Sequence, residues 1–364
     1  MKHFSLKPSV NWLFVFIPVT VALEYADVPS PVLFFSAALA IVPIASLIVH
    51  ATEQIATRTG DTIGGLLNAT FGNAPELIIS FVALKAGYVD MVRAALIGAI
   101  LANVLLALGA SFLLGGIRHR DQHFNPLAAR TYSTMMLLAS VSLAVPSAFS
   151  RFFAPNEMIR QEQMLNIGIA VVLLLAYGLY LFYSLKTHPK SFASVESGGG
   201  EEHEESQWSV ARAVSSLVGA SVLAAWMSEV LVGAAEGTGE ALGMSQTFIG
   251  IVFLAIVGGA AESGSAIVMA RKNKVDLTLG IALGSSIQIA LFVAPMLVLA
   301  SYFIAPQPLE LSFGRAEVGS LFLGTLLATI VCGDGESNWY KGVQLVTVYL
   351  IIALMFYFIP DVVK

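Results

Sequence analysis

The sequence predicts an all-α polytopic membrane protein of about eleven transmembrane helices. One N-terminal helix comes first, then two inverted five-helix repeats with broken helices at the midplane. Three observations carry this. The 364-residue chain is 57% hydrophobic and only 12% charged, with mean hydropathy +0.79, whereas a soluble domain carries about 25% charged residues. Its apolar stretches reach or approach spanning length. A glycine-containing stretch with a carboxylate inside apolar surroundings occurs twice, in matching frames.

Taken in order, the apolar segments are 11–25, 31–55, 62–84, 91–115, 126–149, 163–186, 208–235, 245–270, 275–303, 313–332 and 340–360. Lys2 and Lys7 precede the first, but Glu24-Tyr25-Ala26-Asp27 offers no small-x-small cleavage site. It is therefore read as a retained helix rather than a signal peptide. Thirteen of the nineteen Lys and Arg residues fall on the N-terminal side, among them Arg118, Arg120, Arg271, Lys272 and Lys274. That bias puts the N-terminus in the cytoplasm and the C-terminus on the opposite side. Between segments six and seven, Gly198-Gly199-Gly200 and Glu201-Glu202-His203-Glu204-Glu205 read as a solvated cytoplasmic linker. The expected organisation is 1–30 as the N-terminal helix, 31–193 as the first repeat, 194–207 as the acidic linker and 208–364 as the second repeat.

The halves match at several points. Gly64, Gly72 and Glu76 correspond to Gly250, Gly258 and Glu262, and Leu96-Ile97-Gly98 corresponds to Ala282-Leu283-Gly284. Glu53 followed by Gly60 resembles Glu236 followed by Gly243, with the same seven-residue step. An odd number of helices per half forces the second copy to cross the membrane upside down, and such repeats place their substrate site at the midplane.

Glu76 and Glu262 each sit four residues after a glycine, far from loop signals. A charged side chain in hydrocarbon costs roughly 2.5–3.5 kcal/mol on insertion scales, so a matched pair points to a shared cation site rather than to packing. Gly72 and Pro75 weaken the first helix and Gly258-Gly259 the second. Backbone oxygens freed there, two carboxylates and nearby Asn or Ser oxygens form an all-oxygen set. Such a set suits a hard cation, with Ca²⁺ taking 6–8 oxygens, and the multi-thiolate or multi-imidazole sets of softer metals are missing from the sequence. Two ionised glutamates neutralise one divalent cation, and two protonated glutamates are neutral alone. Exchange of a divalent cation for protons follows as the expectation.

The stretch Leu66-Leu67-Asn68-Ala69-Thr70-Phe71-Gly72-Asn73-Ala74-Pro75-Glu76-Leu77-Ile78 resembles the first signature of the Ca²⁺/H⁺ exchangers, a branch of the calcium/cation antiporters. Gly280-Ile281-Ala282-Leu283-Gly284-Ser285-Ser286-Ile287-Gln288-Ile289-Ala290-Leu291-Phe292 is similar to the block after their second signature, and Asp334-Gly335-Glu336-Ser337-Asn338-Trp339 to a later loop. The resemblance spans nearly the whole chain. It implies the one-plus-five-plus-five fold, with Glu76 and Glu262 as shared cation and proton ligands and Asn73, Ser285 and Gln288 nearby. Departures are local: Gly259 stands where the pattern has Asn, Ser263 where it has His, and Ala99 and Ala102 where serines are common, although Asn103 remains.

Other residues fill lesser roles. Glu53 and Glu236, with Asn103, are candidates for proton relay or gating, while Glu229 and Glu240 read as packing or surface acids. His50 and Glu53 have metalloenzyme-like i, i+3 spacing without a second His in reach. Asp334 and Glu336 fit a cytoplasmic turn, and Cys332 reads as a small buried hydrophobe. The expected partners are the lipid bilayer and inorganic cations, with no cofactor beyond the transported Ca²⁺ and H⁺. A net charge of −5 with no basic stripe argues against nucleic acid. Homo-oligomerisation is possible but not predictable, and nothing in the pattern ranks Ca²⁺ against other divalents. A Na⁺- or K⁺-coupled exchanger is the nearest alternative. An intramembrane hydrolase is remote, because no Gly-x-Ser-x-Gly in suitable context, paired aspartates or His-Glu-x-x-His occurs. A primary pump is unsupported, because the chain has no Walker A sequence and no large cytosolic domain, and inverted repeats with broken helices favour alternating access over a channel.

Overall fold

The computed structural model describes residues 10–59, 61–152, 159–188 and 208–360. The acidic linker 194–207 lies outside the described residues. The helices are α1 (Val10–Tyr25), α2 (Ser30–Thr59), α3 (Asp61–Phe71), α4 (Ala74–Lys85), α5 (Val89–His119), α6 (Pro126–Phe152) and α7 (Arg160–Thr187). After the linker come α8 (Val210–Leu242), α9 (Gln246–Gly258), α10 (Ala260–Arg271), α11 (Val275–Ile304), α12 (Arg315–Val331) and α13 (Trp339–Tyr357). Among the described residues, seven helices are each long and apolar enough to cross a membrane, and the bent pair α9–α10 makes an eighth. The eleven segments read from the sequence all fall on helices, but α1, α12 and the α3–α4 pair lie outside that set.

Burial sorts the helices into a centre and a rim. In α5, 83% of the most apolar window is buried, against 22% in α7 and in α13. Val172, Leu175 and Leu179 on α7, and Leu350, Ile351 and Leu354 on α13, are exposed. Contiguous apolar faces of this extent do not suit water, whereas hydrocarbon accepts them and α-helices satisfy their own backbone there. The chain is an integral multi-pass membrane protein. Around α5 pack α10, α13 and α9, while α2 runs along α8 and α11 lies against α7.

Small residues let the central helices approach closely, as membrane packing favours. A Cβ at Gly98 of α5 would lie 2.2 Å from the Ile251 carbonyl oxygen of α9, and one at Gly250 would lie 2.4 Å from the Met91 carbonyl oxygen of α5. This reciprocal crossing admits no side chain at either point. Before α12 the chain is extended, with Leu309, Leu311 and Phe313 buried. Their N–H groups donate to Ser301 Oγ, Asn166 Oδ1 and Ser147 Oγ at 2.8, 2.9 and 2.7 Å. Non-helical backbone inside the protein thus has partners, as a dry interior demands.

A shift of 186 positions carries Ala74–Lys85 onto Ala260–Arg271 and Val89 onto Val275. It also carries Gly87 (φ 89) onto Asn273 (φ 60), the left-handed residues that turn each chain back towards its next helix. Both following helices contain a wider, π-type turn at corresponding places, Ala102–Ala107 and Ile289–Val293.

The purely helical expectation needs one correction. Strands β1 (Asp121–His123) and β2 (Glu336–Asn338) pair antiparallel, with Gln122 opposite Ser337. This ribbon ties the loop after α5 to the loop before α13, since polar loops at the membrane surface still have backbone groups to pair. Beside it, Lys341 Nζ lies 2.6 Å from Asp334 and also donates to the Val331 and Glu336 carbonyls. Partial burial pushes the Asp334 carboxyl up, but hydrogen bonds from Lys341 and the Glu336 N–H outweigh it and hold the group below its ordinary range. A depressed folded value contributes stability that is present above the unfolded value and lost as pH falls through the folded one. Hydrogen-exchange protection factors of residues 333–338, corrected for the intrinsic rate, should therefore fall as pH is lowered below about 4, and Lys341→Met should weaken that dependence.

Candidate cation site

Both helix breaks arise from local sequence. In the first copy α3 ends at Phe71, Gly72 and Asn73 turn, and Pro75 enters the first turn of α4, where its missing N–H costs nothing. Pro75 thus starts a helix, and the interruption itself lies at Gly72-Asn73. In the second copy Gly259 separates α9 from α10, which are bent by 57°. Glu76 and Glu262 occupy the first turns of α4 and α10, where N–H groups without helical partners favour negative charge.

The breaks face one another across the two halves. A Cβ at Gly258 would lie 3.1 Å from Glu76 Cγ, and one at Gly259 would lie 3.8 Å from Glu76 Oε1 and 3.4 Å from Asn103 Oδ1. Glu76 therefore rests directly on the second break. Reciprocally, Asn73 Nδ2 donates to Gln288 Oε1, joining the first break to α11. Ser285 hydrogen-bonds Glu262, on which the Glu76 carboxylate acts electrostatically. Asn73, Glu76, Asn103, Glu262 and Ser285 are all buried. Five of their polar atoms have no hydrogen-bond partner among the described residues: Asn73 Oδ1, both Glu76 oxygens, Glu262 Oε2 and Asn103 Nδ2. Buried polar atoms are almost always paired, so four orphaned acceptor oxygens gathered at two helix breaks call for protons or a cation.

Among the described residues no group of three or more His, Cys, Asp or Glu side chains converges. A cation here has two carboxylates to draw on, and amide, hydroxyl, backbone or water oxygens must complete its shell. The Asn that the exchanger pattern places at position 259 is absent, but Asn103 from α5 brings its amide to the same space.

Among the described residues, access is seen from one side. A cavity of about 230 Å³ is lined by Glu53, Asp276 and Tyr132 and reaches Glu262, Ser285 and Gln288. Its mouth is on the face of the β-ribbon, because the Asn125 N–H just beyond β1 donates to Asp276 Oδ1 at 2.7 Å. Around Glu76, among the described residues, lies a void of about 20 Å³, walled by Ile79, Leu96, Ala99, Leu254 and Val293.

The sequence-selected residues Glu76, Glu262, Asn73, Asn103, Ser285 and Gln288 thus come together, and Glu53 lies on the approach to them. Glu236 does not line that cavity. It is exposed and accepts a hydrogen bond from Tyr88 Oη at 3.2 Å. Glu53 and Glu236 differ by 183 positions rather than 186, so the two acids are nearly one helical turn out of frame and meet different surroundings. His50 Nδ1 lies 3.9 Å from Glu53, a loose surface pair. Asp276 was missed by the sequence reading, although its signal was present: Asp90 stands at the matching place in the first half.

Known proteins resemble the chain over nearly its whole length. The family profile described as Sodium/calcium exchanger protein matches residues 29–186 and 213–358. A Ca²⁺/H⁺ antiporter of Aphanothece halophytica is 38% identical over 363 residues, covering 96% of each chain. The Ca²⁺/H⁺ antiporter ChaA of Bacillus subtilis strain 168 is 40% identical over 342 residues, 94% of this chain and 96% of the relative. The solved structure of native YfkE superposes with a TM-score of 0.83 at 36% identity, covering 96% of this chain and all of that one.

Proposed function

The chain belongs to the sodium/calcium exchanger family, and on that premise we propose that it is a secondary active transporter exchanging Ca²⁺ for protons by alternating access. The observation that carries the reading is the convergence of orphaned carboxylate and amide oxygens from both halves at facing helix breaks. Glu76 and Glu262 bind the cation or protons in turn, and Asn73, Asn103, Ser285 and Gln288 orient them and supply further oxygens. Either loaded form neutralises the pair, whereas the empty doubly ionised form carries two like charges in a low dielectric. Only loaded forms therefore pass readily between the two faces, and that restriction couples the fluxes.

Counting α3–α4 and α9–α10 as one crossing each gives eleven crossings, one before two sets of five. The second set then runs inverted, with the N-terminus and the β-ribbon in the cytoplasm as the basic residues require. Glu53 serves the cytoplasmic approach as a relay or gate. Glu236, near the opposite face, would serve the other.

The test is reconstitution in liposomes with an imposed pH gradient, recording Ca²⁺ and H⁺ together. Opposite, saturable, coupled fluxes are expected, unaffected by replacing Na⁺ and K⁺ with an organic cation. Ca²⁺ movement that demanded Na⁺ or K⁺ and left pH unchanged would move the protein to another coupling class.

A further inference from the structure

We propose that Asp276 is a cation-capturing residue, which with Glu53 raises divalent-cation occupancy at Glu262 from the β-ribbon face only. This rests on the exchange reading and adds to it a residue and a sidedness. Glu53, Asp276 and Glu262 line one cavity of about 230 Å³, and among the described residues no Lys or Arg lines it with them. Glu262 is 8% exposed, and its Oε2 has no partner among the described residues, so the cavity ends on an oxygen in want of a positive ligand. A narrow, low-dielectric cavity lined by one sign of charge focuses its field and concentrates counter-ions.

The matching position in the first half shows what Asp276 would otherwise do. Asp90 Oδ1 accepts from Arg93 at 2.8 Å, and Arg93 also donates to the Ser312 carbonyl. Asp90, Arg93, Arg315 and Glu317 line a second cavity of about 510 Å³, where both signs mingle and the field is weak. The same shift of 186 positions puts Leu279 where Arg93 stands. The second half keeps the acid but has leucine where the first half has this arginine, so the two cavities differ in charge by construction. Asp276 also accepts the Asn125 N–H, which fixes its carboxylate at the mouth.

Asp276→Asn retains that acceptor and removes only the charge. In proteoliposomes of the full chain, with Ca²⁺ supplied to one face at a time, KM from the ribbon face should rise about 4- to 10-fold at low ionic strength. kcat and the KM from the opposite face should not move. The effect should shrink in roughly 0.3 M salt as charges are screened, and Asp276→Glu should restore the ribbon-face KM. An unchanged ribbon-face KM, an equal rise on both faces, or Glu failing as Asn does would overturn the proposal. An inert wild type would overturn the exchange reading and this one with it, whereas an active wild type beside a normal Asp276→Asn would overturn this one alone.

Discussion

Glu76→Gln and Glu262→Gln should each abolish coupled exchange, reducing both Ca²⁺ and H⁺ flux at least about 100-fold. Glutamine keeps the shape of the side chain and one carbonyl oxygen, so packing against Gly258 or Ser285 survives. What disappears is one negative charge. A divalent cation held by the remaining carboxylate leaves a net unit charge at membrane depth. That strands roughly 2.5–3.5 kcal/mol, about two orders of magnitude in the population of the loaded form. The proton-loaded form is damaged differently. One acidic group can no longer carry a proton, so even residual turnover would not exchange charge for charge. Flux assays in the pH-gradient liposomes decide the matter, with folding checked by the size-exclusion profile. Either variant transporting at the wild-type rate would remove the shared site, because the two carboxylates act on one another and neither can substitute for both.

Much of this site was legible in the sequence because the chemistry is repeated. Glu76 and Glu262, with a glycine four residues before each, stand out against apolar neighbours whatever the fold. The helix boundaries then follow from a single frame, which sets Lys85 against Arg271 and Gly87 against Asn273. The same frame could have found Asp276 through Asp90, and it corrects the pairing of Glu53 with Glu236. Other features leave no such trace. The contact of Glu76 with Gly258 joins positions far apart in the chain, and only the facing of the two breaks brings it about. The π-type turn beginning at Ala102 contains neither Pro nor Gly to announce it. It packs against helices from the other half, and Asn103 within it lies beside Gly259. The ribbon between Asp121–His123 and Glu336–Asn338 is equally invisible locally, since three-residue strands carry almost no alternation.

The repeat-related pair Gly98 and Gly284 should answer differently to the same substitution. Gly98→Ala places a methyl 2.2 Å from the Ile251 carbonyl oxygen, a backbone atom that moves only if α9 moves. Overpacking of this kind typically costs 1–3 kcal/mol, occasionally more. The thermal midpoint of the solubilised protein should fall by about 1–4 °C. At Gly284, nothing among the described residues lies within 4 Å of the added methyl. Alanine is also the better helix former by up to about 1 kcal/mol, so the midpoint should hold or rise. Transport separates the two effects further. On the proposed inverted-repeat reading, the state open to the other face would bring α3 onto α11 at Gly284, as α9 now lies on α5 at Gly98. A methyl tolerated in the present state would obstruct that one, so Gly284→Ala should lose exchange while keeping its stability. Destabilisation and slowing would arise together from a misfolded variant. Slowing without destabilisation requires a second conformation in which this glycine is covered, and a fully active Gly284→Ala would show that the cavity beside it never closes at that point.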